Sequence, residues 1–294
     1  MEIRKFLGRV FFIVCGAFLA FIISNMLYYK LGNPKREVAF EVYEAIDKAE
    51  RNEGYTILIL GDSVARQIFD PVYQDESSSI CYMATNQAIM TVGNYILLSE
   101  FLSNNPQLEE VYYVARPDSI QSDMNFIFTY SYFVTPLYIE PFRIYLSGDT
   151  QKKVEELYGK KFSENGFLKW MLSKYPKLLD SYLKMCNNRQ KLVMLNRNKE
   201  QKSNMAYVYL KNMEELCKKN NIKFRMLASP LPNNIKKYDI EQELSNFSGD
   251  IQNEYMESLI TVDESEFRDG VHLTEEYLKK NRLKIKEQVL CQTE

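Results

Sequence analysis

The chain has 294 residues, a net charge of −2 and 46% hydrophobic residues, enough apolar material for one large globular domain plus an appendage. No basic excess points to nucleic acid, and there is no zinc-ligand spacing, Walker loop or dinucleotide fingerprint, so neither a metal nor a cofactor is expected. The five cysteines (Cys15, Cys81, Cys186, Cys217 and Cys291) form no CxxC pair; an odd count at wide spacing argues against a disulfide framework.

At the N-terminus Arg4, Lys5 and Arg9 precede an uncharged run, Val10 to Leu27, in which only Ser24 and Asn25 are polar. Extended to Tyr28 and Tyr29, it has the roughly 20 residues that span a bilayer core, with aromatics at its far end as in an interface belt. A cleaved signal peptide is the competing reading. It would end in small residues at a cleavage site, whereas this run ends in Asn-Met-Leu-Tyr-Tyr. The expectation is therefore an uncleaved single-pass anchor in the plasma membrane, with tail, anchor and linker over 1–36. Lys30, Lys35 and Arg36 nearly cancel the charge bias, so a cytoplasmic N-terminus rests on the short tail and on the family resemblance given below.

A domain over 37–294 follows. Glu37 to Glu53 reads as an amphipathic spacer helix docked on it, with Val38, Phe40, Val42, Ile46 and Ala49 apolar. Thr56 to Leu60 is a short β-favouring run that enters Gly61-Asp62-Ser63, and Val64 to Phe69 starts a helix. Ser63 thus falls at the carboxyl end of a strand, where open α/β sheets bind ligands, with the N–H groups of a helix start aimed at it. All three residues are also ordinary turn residues, and that reading stays open at this point.

Ser79 to Ala84 reads as a second strand and 90–102 as a helix with Val92, Tyr95, Ile96, Leu98 and Phe101 on its apolar face. Glu110 to Ala115 is a third strand, followed by Arg116-Pro117-Asp118-Ser119. From 121 to 205 the strand–helix rhythm lapses into an aromatic-rich insertion over the carboxyl end of the sheet. Helices are expected there at 152–158, 167–175 and 178–185. Its aromatics could stack on sugar rings, face a membrane, or simply form the insertion's own core. Alternation then resumes: helix 204–219 with Tyr207, Leu210, Met213 and Leu216 near one face, strand 222–228, helix 252–259, strand 259–262, and a last helix capped by Thr274 with Tyr277 and Leu278 facing inward.

The loop before that last helix carries Asp269-Gly270-Val271-His272. His272 is the only histidine in the chain. A serine hydroxyl needs a base to act as a nucleophile near neutral pH, and that base needs a partner to set its tautomer. Asp269 stands three residues before His272.

These two blocks resemble the GDSL/SGNH hydrolase superfamily, with Gly61-Asp62-Ser63 similar to its first block and Asp269-Gly270-Val271-His272 to its last. The resemblance spans the domain from about Tyr55 onward. It implies a three-layer, flavodoxin-like α/β fold with a mostly parallel sheet, Ser63 as nucleophile, His272 as base and Asp269 as its orienter. In that family the loop after the second strand supplies an oxyanion donor. Here it is Ala84 to Met90, and Asn86 either donates from its side chain or merely caps a turn. The family's Gly-x-Asn-Asp after the third strand is replaced by Arg116-Pro117-Asp118-Ser119, which removes one donor. Arg116 could bind an anionic substrate group or serve as a salt-bridged structural residue.

With an anchor, the resemblance implies a serine-dependent esterase or acyltransferase acting on acylated cell-surface glycans outside a bacterial membrane. A membrane acyltransferase is the implied partner, and nucleic acid is not one. Two other readings stand beside it. One is a catalytically weak accessory protein of an envelope-polysaccharide assembly; the other is an interaction protein in which the two motifs are coincidental.

Overall fold

The computed structural model describes residues 2–30, 39–69, 79–124, 126–158 and 204–235, and 240–291 except 243, 246 and 248. Its elements are α1 (Glu2–Lys30), α2 (Phe40–Ala49), β1 (Ile57–Gly61), α3 (Ser63–Ile68), β2 (Ile80–Tyr82), α4 (Met90–Asn104), β3 (Glu110–Ala115) and α5 (Pro117–Ile120). Short helical turns over 126–143 lead to α6 (Gly148–Tyr158). Then come α7 (Asn204–Lys219), β4 (Lys223–Ala228), β5 (Leu231–Pro232), α8 (Gly249–Glu257), β6 (Thr261–Val262) and α9 (Glu275–Cys291).

Among the described residues the named strands pair parallel, in the order β2-β1-β3-β4 with β5 beside β6. Connections run to both sides of β1, so the strand order reverses between β1 and β3. A crevice opens at such a reversal, outside the carboxyl ends of the strands. Register brings those ends level, with Gly61 opposite Val114 and Ala115 opposite Ala228.

Alternation along each strand feeds two separate cores. Leu58, Leu60, Val111, Tyr113 and Met226 pack with α2, α4 and α7 on one face. Ile59, Tyr112, Val114 and Leu227 pack with α3 and α9 on the other. The result is a helix–sheet–helix sandwich with a mostly parallel sheet, as the strand–helix alternation implied.

The outer edge of β4 is closed by side chains. Met226 N–H donates to Glu254 Oε2 at 3.3 Å and Ala228 N–H to Ser258 Oγ at 2.8 Å, both from α8 and its end.

Several expectations shift. Helix 37–53 is shorter, and Phe40 is 54% exposed instead of facing inward, while Val42, Ile46 and Ala49 are buried. Val38 lies outside the described residues. Helix α4 is buried almost all round, including Thr91, Asn94 and Ser99, because α2, α7 and the sheet surround it. On α7 it is Tyr209 that is buried and Tyr207 that is only half-buried. Tyr130, Phe133, Tyr138 and Phe142 of the insertion join the large core. The expected helices at 167–175 and 178–185 lie outside the described residues. Cys81 and Cys217 are buried thiols, each pushed up to about 12 by burial.

Helix α1 is 29 residues long, and Phe11, Phe12, Ile13, Val14, Phe18 and Leu19 on it are exposed. Counted over the described residues, no helix is long and apolar enough to cross a membrane. The described side chains of α1 end at Ile23, with Ile22 also outside them, so that count covers only part of the apolar run.

Candidate active site

The turn after β1 is built for close approach. A Cβ on Gly61 would lie 2.0 Å from the Val114 carbonyl oxygen, so only glycine lets β1 end against β3 here. Asp62 then caps α3: its Oδ1 accepts from the Val64 and Ala65 N–H groups, both at 3.0 Å. The same oxygen accepts from the Ser229 hydroxyl at 3.2 Å, and Oδ2 accepts from the Arg116 N–H at 2.8 Å. One buried carboxylate therefore joins the carboxyl ends of β1, β3 and β4. The next N–H in the helix, Arg66, goes to Asp62 O at 2.9 Å. Of the first-turn donors this leaves the Ser63 N–H, which has no acceptor among the described residues.

Ser63 is the first residue of α3, and its Oγ is 2.9 Å from His272 Nε2. His272 Nδ1 is 2.8 Å from Asp269 Oδ2. The loop that holds this pair is short and self-closing. Gly270 sits at φ +75°, a conformation glycine adopts without strain, which lets the chain turn back. Asp269 Oδ1 accepts from the Val271 N–H at 3.0 Å and the His272 N–H at 2.7 Å. Phe267 and Leu273 bridge across the loop and are both buried. Thr274 caps α9 as expected, its Oγ1 accepting from the Tyr277 N–H at 3.3 Å; Leu278 is buried and Tyr277 half-buried.

Partial burial would raise the Asp269 carboxyl. The hydrogen bonds from the His272 N–H, the His272 ring and the Val271 N–H outweigh that and hold it well below the usual carboxylate range. An ionised carboxylate can only accept, so Asp269 favours the ring tautomer with the proton on Nδ1, in which Nε2 accepts from the Ser63 hydroxyl.

Asn86 lies across the cleft. Its Oδ1 accepts from the Ala88 N–H at 2.9 Å and caps the turn Gln87–Ile89. That leaves the Nδ2 group to point elsewhere, so the two readings of Asn86 are compatible. The loop has no glycine, yet it ends at Met90 with φ 59°, a backbone conformation that costs a non-glycine residue about 1–3 kcal/mol. The segment after β3 braces this loop. The Ser119 hydroxyl donates to Gln87 Oε1 at 3.2 Å and the Ser122 hydroxyl to Gln87 O at 3.1 Å. Arg116 is buried, its Nε 3.0 Å from Asp118 Oδ1, which is the structural reading of this residue.

A cleft of about 530 Å³ opens over these groups, lined by Ser63, Asn86, Asp123, Phe128, Asp269 and His272 among others. Phe128 is 59% exposed. Asp123 is held by Lys153 Nζ at 2.6 and 2.9 Å.

No family model, curated protein or solved structure matches the chain. The structure brings Ser63, His272 and Asp269 into one hydrogen-bonded line and sets Asn86 on the wall of the same cleft. Sequence reasoning missed Asp62, passed over as a turn residue. The available signal was an Asp immediately before a helix start, the pattern of an N-cap. It also missed the serines that brace the Asn86 loop, for which no local signal exists.

Proposed function

We propose that the chain is a serine-dependent acyl ester hydrolase or acyltransferase of the GDSL/SGNH type, acting on acylated cell-surface glycans such as O-acetylated polysaccharide. The observation that carries this reading is the line from Ser63 through the chain's only imidazole to Asp269, at the switch point of a parallel sheet. In the reaction, Ser63 Oγ attacks the ester carbonyl as its proton passes to His272 Nε2. The carbonyl oxygen gains negative charge and is met by the Ser63 N–H and Asn86 Nδ2. The intermediate collapses, the alcohol leaves with the proton from His272, and an acyl-serine remains. Water or a sugar hydroxyl then adds by the reverse path and frees Ser63. The cleft's mixed lining, a solvent-facing Phe128 ring beside Ser122 and Asp123, is compatible with a polyhydroxyl substrate.

The apolar run of α1 is assigned as a single-pass plasma-membrane anchor, with the domain on the extracytoplasmic side and a membrane acyltransferase as its partner. The second reading, a catalytically weak accessory protein, is favoured by one observation. Arg116 and Asp118 pair with each other where the resembled family carries its asparagine donor, and losing one such donor can cost roughly 10²–10³ in rate.

The test is turnover of p-nitrophenyl acetate and of O-acetylated sugars by full-length protein in detergent. Ser63→Ala and His272→Ala should each abolish it, and the double variant should be no worse than either single, because the pair acts as one unit. Wild-type turnover by His272→Ala would overturn the enzyme reading, and its absence in every variant including the wild type would favour the accessory one. The activity should sediment with membranes after expression in a bacterium; its recovery in the soluble fraction would overturn the anchor.

A further inference from the structure

The distance between a nucleophile and a base is set by whatever fixes their two elements to one another. Here Ser63 is on α3 and His272 on a loop 209 residues away. The loop is largely solvent-facing: Arg268, Asp269 and Gly270 are exposed. Two backbone bonds close it on itself, Arg268 N–H to His272 O at 2.9 Å and Thr274 N–H to Glu266 O at 2.8 Å. Neither ties it to the rest of the domain.

Gln67 does. Its Oε1 accepts from the Leu273 N–H at 3.1 Å, and its Nε2 donates to the Leu273 carbonyl in a longer contact of 3.4 Å. A side-chain amide thus pairs with both backbone groups of the residue next to His272. Gln67 and Ser63 are four residues apart on α3, so they share one helix face. One rigid turn of helix therefore presents the nucleophile to the imidazole and grips the backbone that carries it.

The geometry points to Gln67 as a positioning residue that holds His272 at hydrogen-bonding distance from Ser63. This inference rests on the Ser63–His272 reading for its kinetic consequence, though not for its structural one. Gln67 touches no reacting atom. Its work is to keep the base from drifting, where a misplacement of about 1 Å can cost on the order of a hundredfold.

The test uses full-length protein in detergent, with ¹⁵N introduced only at histidine. Since the chain has one histidine, the ring spectrum contains a single imidazole. Gln67→Leu nearly preserves volume and removes both bonds, whereas Gln67→Glu keeps an oxygen for the Leu273 N–H. Gln67→Leu should move the imidazole signals away from their wild-type positions and lower kcat about tenfold, with KM changed by less than about twofold. Gln67→Glu keeps the bond from the Leu273 N–H but sets an oxygen against the Leu273 carbonyl, so it should restore part of both and fall between Gln67→Leu and wild type.

If Gln67→Leu leaves the ring spectrum and kcat at wild-type values, Gln67 has no positioning role. The same holds if the loss of activity only follows the fraction unfolded and Gln67→Glu is no better than Gln67→Leu. Should the wild type turn over no ester, the acyl-transfer reading fails, and the ring spectra alone decide the role of Gln67.

Discussion

Replacing Asp62 by alanine removes the carboxylate on which four donors converge: two N–H groups of α3, the Arg116 N–H and the Ser229 hydroxyl. The side chain is only 3% exposed, so water cannot fully replace it. A hydrogen bond to a charged group contributes about 1.5–3 kcal/mol, and loss of a helix N-cap costs about 1. The four donors share one acceptor group, so their losses do not add, and a net cost of about 3–5 kcal/mol is expected. At about 2–4 °C per kcal/mol for a domain of this size, the melting temperature should fall by about 6–20 °C. Asp62→Asn is the sharper variant. Its oxygen can serve either the α3 side or Arg116, but its NH₂ must then confront an N–H, leaving one buried donor unpaired at about 1–3 kcal/mol. Differential scanning calorimetry on both variants gives the answer. Melting temperatures within about 2 °C of wild type for both would refute the idea that this one side chain joins three strand ends.

The two roles of Asn86 separate by substitution. Asn86→Asp keeps an oxygen to cap Ala88 and loses the NH₂, so it should melt near wild type yet lose about 10²–10³ in kcat; equal activity would remove Asn86 from the oxyanion site. The depressed Asp269 carboxyl contributes stability that is present above its unfolded value of about 3.9 and is lost as pH falls through its lower folded value. Acid unfolding followed by circular dichroism should therefore show a stability difference between wild type and Asp269→Asn that shrinks as pH drops below about 4. Asp269→Asn should also slow turnover at neutral pH by leaving the imidazole in the wrong tautomer, and a wild-type rate would exclude that orienting role.

Local signals found what is local. Gly61-Asp62-Ser63 at a strand end, the strand–helix alternation and Thr274 as a cap all follow from periodicity and capping within a few residues. The single imidazole also drew attention to its own loop. What escaped was set by partners distant in sequence. Asp62 reaches Ser229 across 167 residues, and Gln67 reaches Leu273 across 206. No pattern within a window of 11–18 residues encodes either contact. Helix α4 misled for a related reason: the one-sided pattern expected of a surface helix fails when α2, α7 and the sheet enclose it. Strand β6 falls inside the run expected at 259–262, whereas β5, two residues long, is shorter than any periodicity can register.

The closure of β4 by Glu254 and Ser258 governs how the molecule meets its own copies. A bare parallel edge offers a row of donors that a neighbouring chain can zip onto, the route to aggregation that natural sheets must block. Here that blocking is done by a carboxylate and a hydroxyl that imitate the carbonyls of an absent neighbour. Ser258 Oγ is itself held by donating to Tyr255 O at 2.8 Å, so the stopper is fixed in place. Guarding the edge this way leaves no strand ladder beside β4 at Met226 and Ala228, so a second chain that paired there would first have to displace two polar atoms of one short helix and its end.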